Sequence, residues 1–115
     1  MQSLFKQILF IVALCFNLTL SVFAQDSKKT FTLVIDAGHG GHDPGAVGKV
    51  AQEKTINLNV ALKFGNLVKE NCSDVKVIYT RSKDVFIPLQ ERANIANRNK
   101  ADLFVSIHTN AAPRG

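Results

Sequence analysis

The residues of this chain best suited to chemistry are two histidines on separate segments and a glutamate between them. His39 lies in a glycine-rich run, Ala37-Gly-His-Gly-Gly-His-Asp-Pro-Gly45, and His108 closes an apolar run near the other end. Glu53 stands between the glycine run and a long segment of helical periodicity. Two imidazoles, one carboxylate and an open fourth position form the usual donor set of a catalytic zinc site. Such a metal would polarise a scissile carbonyl and bring its bound water to a pKa of roughly 7. The glycines suit that purpose, because without a Cβ the backbone turns sharply and approaches a ligand closely. The spacing alone does not decide the matter. Glu53 follows His39 by 14 positions and His108 follows Glu53 by 55, which matches no short metal signature such as HExxH. Two loop histidines and a surface glutamate remain the plain alternative.

These residues have to be positioned by the elements around them. Phe31-Thr-Leu-Val-Ile-Asp36 is a compact β-branched run and reads as a buried strand that feeds the glycine loop. From about Lys54 to Asn71 the periodicity is helical. Leu58, Ala61, Leu62 and Val68 share a face, Ile56, Val60, Phe64 and Leu67 widen it, and Asn59, Lys63, Asn66 and Glu70 form a polar stripe. A helix buried on most of its circumference is expected. Val75–Thr80 reads as a second strand, and Pro88 opens a second helix at a first-turn position, running to about Asn99. Asp102–His108 reads as a third strand. This alternation predicts an α/β fold with a mostly parallel open sheet and crossover helices. Strands buried on both faces would account for their continuous apolar character. In such sheets ligands gather beyond the carboxyl ends of the strands, so His39 and His108 would meet on one edge.

Other residues near these positions have two readings each. Asp36 could orient a ligand imidazole or cap the glycine loop through backbone amides. Arg81 and Arg92 could hold substrate carboxylates, or form structural ion pairs with Asp84 or Glu91. Asn110 could line the site beside His108 or simply form the turn there. Cys72, at the expected end of the first long helix, reads as a small structural residue with no histidine near it in sequence.

Bulk properties narrow the class. A chain of 115 residues holds one small domain. The net charge of +5 comes from basic residues scattered singly, without the dense basic run and interleaved aromatics of a nucleic-acid interface. Met1 to Ala24 combines a lone Lys6, the apolar stretch Ile8–Phe16 and the small-residue exit Ser21-Val-Phe-Ala24. That is the pattern of a secretory signal. The apolar run is short for a membrane span of ~20 residues and Asn17 interrupts it, so no stable anchor is expected after cleavage. Residues 25–30 read as a linker and 31–115 as the folded part. Cys15 would leave with the leader, and Cys72 alone cannot form an internal disulfide.

The run Val34-Ile-Asp-Ala-Gly-His-Gly-Gly-His-Asp-Pro-Gly-Ala46 resembles the opening motif of the zinc-dependent N-acetylmuramoyl-L-alanine amidases of the type-3 family. Further matches follow in chain order. Glu53-Lys54 resembles the family's second ligand segment, and Tyr79-Thr-Arg81, Asp84, Leu89, Arg92 and Ala96-Asn97 its central pattern. Asp102–Ala111 resembles the segment bearing the third ligand. The resemblance implies an α-β-α sandwich and one zinc ion held by His39, Glu53 and His108. By motif position it favours His39 over His42, three residues away in the same loop. It implies hydrolysis of the amide between N-acetylmuramic acid and L-alanine of peptidoglycan, by a protein exported to the periplasm or cell exterior and associated with the wall. The family's general acid or base, a glutamate on a later strand, would lie beyond Gly115. The chain is therefore expected to be the N-terminal part of a catalytic domain, cut after the third strand and a poor enzyme alone.

Two other functions compete. One is a wall-recognition or zinc-binding fragment without catalysis. The other is a nucleotide-binding loop, which the sequence disfavours: Asp43 stands where a dinucleotide fingerprint needs its third glycine, and no Gly-Lys-Ser/Thr follows.

Overall fold

The protein is described by a computed structural model that covers residues 1–23 and 29–111. The expected leader exit at Ala24 and most of the 25–30 linker lie outside the described residues. Upstream of them, α1 (Gln2–Phe23) is one continuous helix. Leu4, Phe5, Leu9 and Phe10 on it are exposed. Among the described residues no helix is long and apolar enough to cross a membrane.

The folded part runs β1 (Phe31–Ala37), α2 (Glu53–Asn71), β2 (Val75–Tyr79), α3 (Leu89–Arg98) and β3 (Leu103–Ile107). The sheet order is β2-β1-β3, with both pairings parallel. Leu33 of β1 stands opposite Val77 on one side and Leu103 on the other. The α/β open parallel sheet read from the sequence is therefore the architecture found.

Alternation along β1 divides its side chains between two layers. Leu33, Ile35 and Ala37 pack with Ala61 of α2, and Leu58, Val68, Val77, Tyr79, Val105 and Ile107 extend that core. On the opposite face Asp36 meets Arg92 of α3, so α2 and α3 lie on opposite sides of the sheet.

Three expectations need correction. Full burial on both faces holds for β1 alone; β2 and β3 are edge strands, with Leu103 and Phe104 of β3 exposed. Pro88 is the N-cap residue of α3 rather than its first turn, since its ψ of 146° is extended and Leu89 begins the helix. Helix α2 is not buried around most of its circumference. Its buried positions are Glu53, Asn57, Ala61 and Gly65, spaced by four, while Ile56, Val60, Phe64 and Leu67 remain exposed. The packed stripe is narrow because small residues and the two polar ones facing the sheet edge set the approach of the helix.

Candidate metal centre

All three strands point their carboxyl ends toward one edge, and the residues that follow them build the site. His39 arrives two residues after β1, His108 directly after β3, and Glu53 as the first residue of α2. One ligand atom from each can be chosen so that all three lie within 4.8 Å of one another. Oε1 of Glu53 is the meeting point, 3.2 Å from His39 Nε2 and 3.1 Å from His108 Nδ1. The two rings stand edge to face at 84°, with centroids 4.9 Å apart.

Close convergence requires the glycines. A Cβ on Gly38 would fall 2.2 Å from the His108 ring, and one on Gly45 within 2.7 Å of both the His39 ring and Glu53 Oε2. His39 itself adopts a left-handed φ of 62°, unusual for a residue with a side chain. Its ring is held by Asp43, whose Oδ2 accepts a hydrogen bond from Nδ1 at 2.9 Å. A carboxylate can only accept, so this contact puts a proton on Nδ1 and directs Nε2 toward Glu53. The bond from His39, with a second from the Gly45 amide, holds the Asp43 carboxyl below its ordinary range.

Glu53 is buried and ionised. Burial opposes its charge, but donors from the Ala46 amide, Asn57, His108 and the Thr109 amide outweigh it and lower its pKa to about 2. Glu53 Oε1 and His39 Nε2, 3.2 Å apart, are placed so that one cation could be shared between them. Two imidazoles and one carboxylate, fixed by outer contacts and backed by glycine, fit a divalent cation of the borderline type.

The neighbouring candidates fall differently. Asp36 neither orients an imidazole nor caps the loop: its carboxylate accepts from Thr80 Oγ1 (2.6 Å), Arg92 Nη1 (2.8 Å) and Ser106 Oγ (2.7 Å). Burial opposes its ionisation, but those bonds keep its pKa below the ordinary value. Arg92 pairs with Asp36 rather than Glu91, which pairs with Arg98, and Asp84 pairs with Lys54 rather than Arg81. The other hydrogen bonds of Arg81 and Arg92 among the described residues go to backbone carbonyls, which commits four of the five N–H donors of each guanidinium to the fold. His42 is exposed and lies against Phe86, away from the cluster. Asn110 is exposed; the residue after His108 that reaches the site is Thr109, through Glu53 and Asn57. Sequence reasoning missed Asp43 and Asn57. Both carry a readable signal, since each lies four residues beyond a ligand candidate, His39 and Glu53 respectively.

Beside the cluster a cleft of about 720 Å³ runs between α3 and the sheet. His39, Asp43 and His108 stand at one end, and Phe86, Leu89 and Phe104 contribute apolar wall.

A family model described as N-acetylmuramoyl-L-alanine amidase matches residues 33–115. The amidase AmiC of Escherichia coli O6:H1 is 44% identical over 84 residues, covering 72% of this chain and 20% of that protein. The catalytic domain of CwlV, an amidase from Bacillus (Paenibacillus) polymyxa var. colistinus, superposes with a TM-score of 0.69 at 45% identity, covering 73% of this chain and 48% of that one. A Clostridium difficile 630 amidase superposes with a TM-score of 0.71 at 40% identity, covering 76% and 47%. The chain thus spans a fifth of the length of AmiC and about half of each of these two structures.

Proposed function

We propose that this chain, which belongs to the N-acetylmuramoyl-L-alanine amidase family, carries the metal-holding part of a zinc hydrolase acting on the amide between N-acetylmuramic acid and L-alanine of peptidoglycan. The observation that carries the reading is the convergence of His39, Glu53 and His108 on one point at the carboxyl edge of the sheet. The relatives supply the substrate class, since those compared above are named for this activity.

When bound, a single zinc would supply Lewis acidity at the scissile carbonyl. His39, Glu53 and His108 would hold the ion, Glu53 through a carboxylate whose pKa is lowered to about 2. Asp43 fixes the tautomer and aim of His39. The adjoining cleft supplies apolar wall against which substrate is held out of water. Among the described residues no carboxylate near the cluster is free to move a proton: Glu53 belongs to the cluster, Asp43 is engaged with His39 and Asp36 is buried against Arg92. A proton-transferring glutamate from beyond residue 115 completes the site in this reading. General acid–base assistance is typically worth roughly 10²–10⁴-fold, so residues 31–115 alone should release little or no stem peptide from purified sacculi. Residues 1–24 are proposed as an export signal, a role that the exposed apolar side chains of α1 suit, and the protein then works in the periplasm or outside the cell.

Metal analysis of the purified protein tests the assignment. One zinc per chain is expected, and His39→Ala, Glu53→Ala and His108→Ala should each lower occupancy sharply. Full retention in all three variants would remove the site.

A further inference from the structure

The two buried arginines beneath the site have an arrangement that the cluster does not by itself require. Arg81 is 3% exposed and has no ion pair among the described residues. Its donors go to main-chain carbonyls: Nε to Ala37 (2.8 Å), Nη2 to Gly38 (2.9 Å) and Lys54 (2.8 Å), and Nη1 to Lys83 (3.2 Å). Arg92, 5% exposed, also donates to Ala37 through Nη1 (2.8 Å), and to His39 through Nη2 (2.9 Å). Three consecutive carbonyls, from the last residue of β1 to the ligand histidine, are therefore gripped by two rigid forks. The Lys54 carbonyl belongs to the first turn of α2, next to Glu53. One guanidinium thus ties the loop carrying His39 to the helix carrying Glu53.

Burying a cation without a carboxylate partner is costly, and a fold that needed only its carbonyls capped could use neutral donors. A planar fork does something they cannot, since it fixes several acceptors at set angles to one another. The loop passes close beside it: a Cβ on Gly40 would meet the Val85 carbonyl first and would also lie 2.9 Å from Arg81 Nε. Arg92 meanwhile holds the carbonyl of the one loop residue whose side chain sits at a left-handed φ.

We propose that Arg81 and Arg92 are positioning residues that set the geometry of the ligand triad before the ion arrives, with Arg81 coupling His39 to Glu53. This rests on the metal reading above, and the test separates the two.

The protein as its cell makes it should be prepared as wild type, Arg81→Lys, Arg92→Lys and, as a control, Arg98→Lys on the exposed side of α3. Zinc affinity is measured by chelator competition, and site geometry by the visible absorption of the Co²⁺-loaded protein. Loss of an outer contact typically costs roughly 10–100-fold in metal affinity. That loss, with an altered cobalt spectrum and unchanged far-UV circular dichroism, is expected for Arg81→Lys and Arg92→Lys but not for Arg98→Lys. Zinc-binding wild type with wild-type affinity and spectrum in both buried variants overturns the clamp alone. A wild type that holds no zinc overturns the metal reading and the clamp with it. Should a lysine variant fail to fold, the metal-free wild type decides. The Nε–H protons of Arg81 and Arg92 should then exchange with solvent far more slowly than that of Arg98, and equal exchange overturns the proposal.

Discussion

At the scale of single residues, the outer contacts of the triad separate by what they touch. Among the described residues the Asp43 carboxylate hydrogen-bonds only the ring of His39 and the amide of Gly45, so its removal should leave the core intact. Asp43→Asn keeps the shape but removes the charge that fixes the Nδ1 proton. We expect zinc affinity to fall roughly 10–100-fold with little change in thermal midpoint, read by chelator competition beside a melting curve. Asp36 behaves differently because its partners hold the sheet to α3. Its pKa is depressed in the folded state, so its contribution is present above the ordinary carboxylate value of 3.8 and disappears as pH falls through the lower folded value. In metal-free protein the stability gap between wild type and Asp36→Asn should be widest near neutrality and narrow as pH drops below about 4. A gap that stays constant in urea midpoints down to pH 2 would disprove this account. The two histidines were legible because the chain has only three, whereas Glu53 stood out among nine carboxylates by its place between the glycine loop and the helix and by its motif position. Their supports were not. Which carboxylate meets which arginine depends on where β2 and α3 lie, so Arg92 finds Asp36, 56 residues away, and not the adjacent Glu91.

At the scale of elements, the strands and helices were legible almost to their ends, since β-branched runs and a helical repeat are local signals. The buried face of α2 was not. Periodicity favours the large apolar residues, whereas the sheet receives Ala61 and Gly65, which permit close approach. Gly65 is the sharper case. Replacing a helix-interior glycine by alanine ordinarily gains ~1 kcal/mol. Here the new methyl would fall 2.0 Å from the Tyr79 hydroxyl and 2.6 Å from its ring. Overpacking of a fitted core costs about 1–3 kcal/mol, and a ring pinned between β2 and α2 has little freedom to retreat. Gly65→Ala should therefore lower the thermal midpoint despite its helical benefit, and an increase would mean that Tyr79 can swing clear.

At the scale of the molecule, the core is small for what surrounds it. Among the described residues only Leu33, Val34, Ile35, Ala37 and Ala61 are fully buried apolar side chains, and all but Ala61 lie on β1. Among the described residues two strand edges are unpaired, on β2 and β3. Ile56, Val60, Phe64 and Leu67 form an apolar stripe on α2, and Leu103 and Phe104 open more on β3. Exposed edges template pairing with other chains, and a contiguous apolar patch promotes association. Residues 29–115 produced alone should therefore bind a hydrophobic dye and sediment as concentration-dependent oligomers. Placing charges on the stripe, as in Phe64→Glu with Leu67→Lys, should lower both signals without touching the triad, which lies at the other end of α2. If the segment is instead monomeric and silent toward the dye, the stripe must fold against a surface within 29–115, and the narrow packing of α2 would have to be revised. If the charged variant still associates, the surfaces that the substitutions leave unchanged drive assembly: the open strand edges with Leu103 and Phe104, or the Ile56 and Val60 end of the stripe.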